Sequence, residues 1–204
     1  MGKVIVFSGS FNRPSKTTAL VNYIGKEVAK KFGTEVVTYD LLDVGNTLGL
    51  AQRADKLEPK GQQIIEELTL ADALVIGSPV YKGSYPGLFK HFIDLIEPER
   101  LYGKPVLLSA TGGGDRHALM VEHQLRPLFG FFMAHSLPTA IYAAARDFGP
   151  DNEIRSQDLI ARIDKAVNQF TPFIKKQPAD SASQKTTIQL ARENDDILPL
   201  AANS

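Results

Sequence analysis

The chain contains no cysteine among its 204 residues. This absence excludes a disulfide framework, a thiolate nucleophile and a zinc–thiolate site. The four histidines are scattered and show no metal-ligand spacing. Redox chemistry in this protein therefore requires a cofactor that the chain binds.

An excess of either charge is also missing, because 23 basic side chains balance 23 acidic ones. A balanced chain has no overall field that attracts nucleic acid or an anionic membrane, so any anion site must be local. No stretch approaches the roughly 18 apolar residues of a membrane span, and residues 1–8 lack the apolar core of a signal peptide. We therefore expect a cytoplasmic protein without a nucleic-acid or membrane partner.

The Walker pattern GxxxxGK[ST] and the GxGxxG fingerprint are absent as well. The N-terminal stretch KVIVFSGSFNRPSKTT instead joins a buried strand at residues 4–7 to a hydroxyl-rich turn and a helix. Pro14 keeps Arg13 extended and leaves Ser15 well placed to cap the helix. A helix N-terminus surrounded by hydroxyls favours phosphate, although a capped turn without a ligand explains the same residues.

Hydrophobic periodicity predicts an α/β protein of the doubly wound class, with one domain at residues 1–176. Strands are predicted at residues 4–7, 34–39, 73–76, 104–110 and 139–143. Helices are predicted at residues 16–32, 60–70, 88–96, 118–134 and 158–174, with a long excursion at 41–59. This alternation indicates a five-stranded parallel sheet with helices on both faces. The polar tail at 177–204 is expected to be disordered or to contact a partner subunit, the second option resting on its ILPL run at 197–200.

Three of the strand-to-helix loops are specialised, at residues 8–18, 78–87 and 111–117. In parallel sheets, ligands bind outside the carboxyl ends of the strands, where the strand order reverses. Three unusual loops at that edge predict a ligand site.

Together the three loops resemble the flavodoxin-like NAD(P)H-dependent FMN reductases. The motifs GSxxRPSxT, SPVYKGSYPGLxKHxxDL and ATGGxxRHALxxxHQLRPLFxFF are most similar to the reductase components of two-component alkanesulfonate and methanesulfonate monooxygenases. The resemblance covers residues 3–175. It implies a cytoplasmic, homo-oligomeric FMN reductase, dimer or tetramer, that uses NADH or NADPH and supplies reduced FMN to a separate flavin-dependent monooxygenase.

The resemblance also implies which residues bind FMN. The flavin phosphate would be held by Ser10, Arg13, Ser15, Thr17 and Thr18. The isoalloxazine ring would lie along Pro79, Val80, Tyr81, Lys82 and Ser84. The edge of the ring would contact Thr111, Gly112, Gly113 and Gly114, with His117 close by.

The chemistry of these residue types agrees with that assignment. Hydroxyls and backbone N–H groups hold a phosphate without many full charges, and consecutive glycines let backbone donors approach a planar ring. Hydride transfer from nicotinamide to flavin depends on positioning, so no catalytic acid, base or nucleophile is expected. Two alternatives stay open: a quinone, azo-dye or chromate reductase with fixed FMN, and a flavin-binding electron carrier or regulatory module without nicotinamide chemistry.

Pro127 marks an irregularity in the predicted helix at 118–134. It has no N–H, so the carbonyl of His123 loses its helical partner, and a kink or π-bulge costs little there. In the alkanesulfonate branch the matching position is an inserted tyrosine in a π-helix at the tetramer interface. This chain has His123 instead, as the methanesulfonate-type reductases do, so oligomeric state and flavin release do not carry over from the tyrosine enzymes. The apolar run at residues 128–133 is predicted to form core and subunit contacts.

Overall fold

The computed structural model describes residues 2–175. The tail predicted at 177–204, with its ILPL run, lies outside the described residues. No helix in the described part combines the length and hydropathy needed to cross a membrane.

A single parallel sheet forms the centre of the molecule. Its spatial order is β2-β1-β3-β4-β5, with β6 also beside β4. The strands are β1 (Lys3–Ser8), β2 (Glu35–Asp40), β3 (Ala73–Pro79), β4 (Pro105–Gly112), β5 (His135–Ser136) and β6 (Ile141–Ala144). The chain passes from β2 over β1 to reach β3, so the strand order reverses between β1 and β3. This is the flavodoxin-like order, and the predicted fold class is confirmed.

Two layers of helices cover the sheet. The helices are α1 (Lys16–Phe32), α2 (Pro59–Leu70), α3 (Gly87–Asp94), α4 (Arg126–Phe131) and α5 (Gln157–Asn168). In β1, Val4 and Val6 pack in one apolar cluster with α1 and α5. Ile5 and Phe7 point to the opposite cluster with α2, α3 and α4, because successive strand side chains alternate between faces.

The fifth strand position is interrupted, which corrects the single strand predicted at residues 139–143. β5 pairs with the start of β4, and β6 pairs with its end. Between them stands Pro138, which cannot donate to a strand ladder. Side chains satisfy the backbone there instead: Gln169 Oε1 accepts from the Thr139 N–H at 2.9 Å, and Arg126 Nη1 donates to the Leu137 carbonyl at 3.0 Å.

The helix predicted at residues 118–134 is also wrong as a single element. A short turn at Asp115–His117 is followed by a π-helix at Val121–Leu125 and then by α4. The Arg126 N–H donates to the Val121 carbonyl, five residues back. The π-helix thus lies directly before the turn that contains Pro127, where an irregularity costs little.

Other element boundaries differ less. α3 ends at Asp94 and α5 at Asn168, earlier than predicted, because both helices finish in tight turns. The long excursion after β2 contains two single-turn 3₁₀ segments, Leu48–Leu50 and Ala54–Lys56.

The packing of β3 predicts a strong effect of Gly77→Ala. A Cβ on Gly77 would overlap Val21 and lie 3.0 Å from Ser109 Oγ, inside the core. We expect the free energy of unfolding in urea to fall by about 1–3 kcal/mol.

The control for this prediction is Gly130→Ala in α4, where a Cβ meets nothing within 4 Å. Alanine should stabilise that helix by up to about 1 kcal/mol. Equal unfolding free energies for the two variants would contradict the packing argument.

Candidate functional site

The first loop connects the end of β1 to α1 and is held against β3. The Gly9 N–H donates to the Gly77 carbonyl at 2.6 Å. Ser15 caps α1, since its hydroxyl accepts from the Thr18 N–H at 3.3 Å. The N–H groups of the first helical turn have no partner inside the helix and carry the positive end of its dipole. The chemistry of this loop is therefore suited to an anion.

Hydroxyl groups in this loop are largely engaged within the protein. Ser8 Oγ and Thr18 Oγ1 are 2.9 Å apart, and Thr17 Oγ1 lies 2.6 Å from Thr111 Oγ1 on β4. The buried Ser10 hydroxyl accepts from the Asn12 N–H at 3.2 Å. Thr17, only 2% exposed, thus joins the first loop to the third with its side chain.

Arg13 lies among carboxylates. Its Nε and Nη2 donate to the two oxygens of Asp40 at 2.7 and 2.8 Å, and Nη2 also donates to Asp43 at 2.6 Å. The Asp40 hydrogen bond outweighs partial desolvation and, together with Asp43, raises the pKa of Arg13 above its ordinary value. Within the described residues, Nη1 is the guanidinium nitrogen without a hydrogen-bond partner. The sequence analysis did not identify Asp40 and Asp43.

The second loop begins at Pro79 and contains a tight turn from Tyr81 to Ser84. The two residues exchange backbone hydrogen bonds of 2.8 and 3.1 Å. Lys82 and Gly83 at the centre have φ of 52° and 86°, as a type I′ turn requires. The turn carries Tyr81, which is 38% exposed.

Tyr81 connects the second loop to the first. Its ring meets Phe11 edge-on with centroids 5.6 Å apart, and its hydroxyl accepts from Asn12 Nδ2 at 3.0 Å. Sequence reasoning missed Phe11 and Asn12, although both lie inside the first motif. Their aromatic and amide side chains were the available signal.

The turn of the second loop also contacts the π-helix. Ser84 Oγ donates to Gln124 Oε1 at 3.1 Å. His123 in the π-helix and Pro127 in the first turn of α4 are both exposed.

The third loop follows β4 and is held in place by a side chain of β6. The Val80 N–H donates to the Thr111 carbonyl at 2.8 Å, which joins the second loop to the third. The Tyr142 hydroxyl donates to the Gly114 carbonyl at 2.5 Å and covers Gly112 so closely that a Cβ there would overlap it. Burial, together with the nearby Asp115 carboxylate, raises the pKa of Tyr142. Tyr142 was also missed from the sequence.

The glycines after β4 leave their backbone open. A Cβ on Gly113 or Gly114 would meet nothing within 4 Å. His117 is partly buried at the end of the following turn. Beyond it, Arg146 Nη1 and Nη2 each donate to the Asp115 carboxylate at 2.7 Å.

The three specialised loops thus meet at one edge of the sheet, as their positions predicted. The strand order, the switch point between β1 and β3, and a capped helix N-terminus at that point define a flavodoxin-like α/β protein, a class in which ligands bind at the carboxyl edge of the sheet. The family model for NADPH-dependent FMN reductase matches residues 2–149. The chain belongs to this family.

Individual relatives agree with the family assignment. An FMN reductase (NADPH) from Pseudomonas aeruginosa is 43% identical over 84% of this chain and 91% of its own. The NADH-dependent FMN reductase SfnF of Pseudomonas fluorescens is 42% identical over 84% and 91%. Among solved structures, an oxidoreductase from Corynebacterium diphtheriae has a TM-score of 0.77 and 30% identity, covering 87% of this chain and 99% of that one. The protein is therefore an oxidoreductase of the NAD(P)H-dependent FMN reductase type, with FMN and NADH or NADPH as its cofactors.

The Thr17–Thr111 contact predicts non-additive effects on stability. Thr17→Val or Thr111→Val alone leaves one buried hydroxyl without its partner, which costs about 1–3 kcal/mol. The double variant removes both hydroxyls and should lose less than the two single variants together. Urea unfolding of the four proteins measures the coupling, and strictly additive losses would show that the two hydroxyls do not interact.

Proposed function

We propose that this protein reduces FMN with NADH or NADPH at the carboxyl edge of the sheet and releases the reduced FMN to a separate flavin-dependent monooxygenase. The observation that carries the proposal is the meeting of three loops of different chemistry. The first offers hydroxyls and helix N–H groups, the second an aromatic turn, and the third open glycine backbone.

The phosphate of FMN fits the N-terminus of α1. The proposed contacts are the N–H groups of the first turn, the hydroxyl of Ser15 and Nη1 of Arg13. The hydroxyls of Ser10 and Thr18 would join them by turning from Asn12 and Ser8, their present partners. Thr17 contributes its N–H, because its hydroxyl is engaged with Thr111. The site therefore holds a dianion mainly with neutral donors.

The isoalloxazine ring would lie along the second loop, at Pro79, Val80, Tyr81, Lys82 and Ser84, of which Tyr81 is 38% exposed. The edge of the ring would contact Thr111, Gly112 and the N–H groups around Gly113 and Gly114, with His117 close by.

Bound FMN supplies the hydride acceptor, and the chain's own residues supply orientation and hydrogen-bond donors. Backbone donors of the third loop stabilise negative charge that develops on the ring.

A similarity of sequence supports a proposal about the class of the acceptor protein. The motifs resemble reductase components of sulfonate monooxygenases, and two relatives from Pseudomonas are named NADH-dependent FMN reductases SfnF and SfnE. We propose a sulfonate-type monooxygenase as the partner and a cytoplasmic location, where reduced nicotinamide nucleotides are available.

Self-association is also part of the proposal. Leu119, Phe131 and Met133 expose 63%, 69% and 62% of their surface around the π-helix and α4. Large apolar side chains grouped in this way are typical of subunit contacts. We propose that this face, with His123 and Pro127, joins the subunits of a dimer or tetramer.

The reaction predicts FMN-dependent oxidation of NADH or NADPH. The purified full-length chain should lower the absorbance at 340 nm (the nicotinamide band) only when FMN is present. A rate equal to that of free flavin without the protein would refute the proposed function, and it would also be expected of a flavin-binding electron carrier.

The phosphate site predicts different consequences for two similar helix caps. Ser15→Ala removes the cap of α1, and Ser156→Ala removes the equivalent cap of α5, which accepts from the Leu159 N–H at 3.3 Å. Each should cost about 0.5–2 kcal/mol of stability in urea unfolding.

FMN titration separates the two caps. Ser15→Ala should weaken FMN binding by about 0.5–1.5 kcal/mol, because a proposed phosphate contact is lost, while Ser156→Ala binds FMN like the wild type. Equal FMN affinities in both variants would contradict this phosphate site and place the phosphate at another part of the carboxyl edge of the sheet.

The competing function is a reductase of quinones, azo dyes or chromate that keeps FMN bound. An FMN-dependent NADPH-azoreductase from Staphylococcus aureus is 26% identical over 86% of this chain. A flavin supplier should lose most of its FMN on gel filtration. Retention of stoichiometric flavin would favour the competing function.

A further inference from the structure

Arg13 is paired with two carboxylates, Asp40 and Asp43, although one would balance its charge. We propose that Asp43 sets how weakly the first loop holds the flavin phosphate, by occupying Arg13 and by fixing a negative charge beside it. This inference rests on the proposed function and concerns the retention and release of FMN.

The two carboxylates have different surroundings. The Asp40 side chain is 4% exposed, and it also accepts from the Leu42 N–H at 2.9 Å. A buried carboxylate that loses its cationic partner is strongly destabilising, so the pairing of Asp40 with Arg13 contributes to the stability of the fold. The Asp43 side chain is 20% exposed and adds a second, less buried charge.

Asp43 is held firmly in position. Oδ1 accepts from Arg13 Nη2 at 2.6 Å, and Oδ2 accepts from the Asp40 N–H at 2.9 Å. Two hydrogen bonds therefore hold the negative charge of Asp43 beside Arg13. Arg13 and its two carboxylates together carry a net negative charge beside a loop that we propose to bind a dianion.

Little positive charge in the loop offsets this cluster. Lys16 is the second cation of the first loop, and its Nζ lies 5.9 Å from the centre of the Phe148 ring. The phosphate is thus left with the helix terminus, neutral hydroxyls and Nη1 of Arg13. A supplier of reduced FMN needs such a weak complex. The charge of Asp43 is the part of this arrangement that a single substitution can remove.

The test is Asp43→Asn, which keeps the shape and removes the charge. Since the effect is electrostatic and acts on the phosphate, we expect FMN to bind about threefold to tenfold more tightly and to dissociate correspondingly more slowly. Riboflavin, which lacks the phosphate, should bind unchanged. The gain for FMN should shrink as salt is raised. Fluorescence titration gives the affinities, and stopped-flow displacement gives the dissociation rates.

Glu66→Gln is the matched control. It removes a carboxylate of α2 that is paired with Arg100 and lies outside the three loops. It should leave FMN affinity unchanged. Asp43→Ser is a second neutral variant in case the amide disturbs the backbone at Asp40, and circular dichroism checks the fold of both.

Unchanged or weaker FMN binding by a folded, neutral variant would overturn the inference, and so would an equal gain for riboflavin. The proposed function fails separately, if the wild type itself neither binds FMN nor oxidises NAD(P)H in its presence. An active wild type with an unaltered Asp43→Asn affinity refutes the role of Asp43 alone.

Discussion

The site depends on the parallel pairing that ends β1, β3 and β4 at one edge of the sheet. Ser8 pairs with Gly77, and Pro79 pairs with Thr111, so three loops from distant parts of the sequence begin side by side. The hydrogen-bonded register of these parallel strands brings their carboxyl ends to one edge. The buried Thr17–Thr111 contact then connects the first loop to the third.

Much of the fold could be predicted because it is encoded locally. The apolar run at residues 4–7 predicts a central strand, and the four-residue spacing of apolar positions predicts α1 with both of its boundaries. The split fifth strand could not be predicted in the same way. Its interruption at Pro138 is stabilised by Arg126 and Gln169, which come from other elements.

The site shows the same division. Turn chemistry and glycine runs locate the three loops, since these features are readable along the chain. Side-chain partners are not readable in this way: Arg13 meets Asp40 27 residues away, and Thr17 meets Thr111 94 residues away. From the sequence, Arg13 beside a predicted phosphate site suggests a contact with phosphate. In the structure, Arg13 is already paired with Asp40 and Asp43. Charges near a site therefore have to be counted in three dimensions before they are assigned to a ligand.

The hydrogen bond between Ser84 and Gln124 joins two surfaces of the molecule. It connects the turn that carries Tyr81 to a π-helix whose neighbouring apolar side chains are exposed. π-Helices are rare and occur frequently at functional sites. The proposed flavin-binding loop and the proposed subunit face are therefore adjacent, with one side-chain hydrogen bond between them.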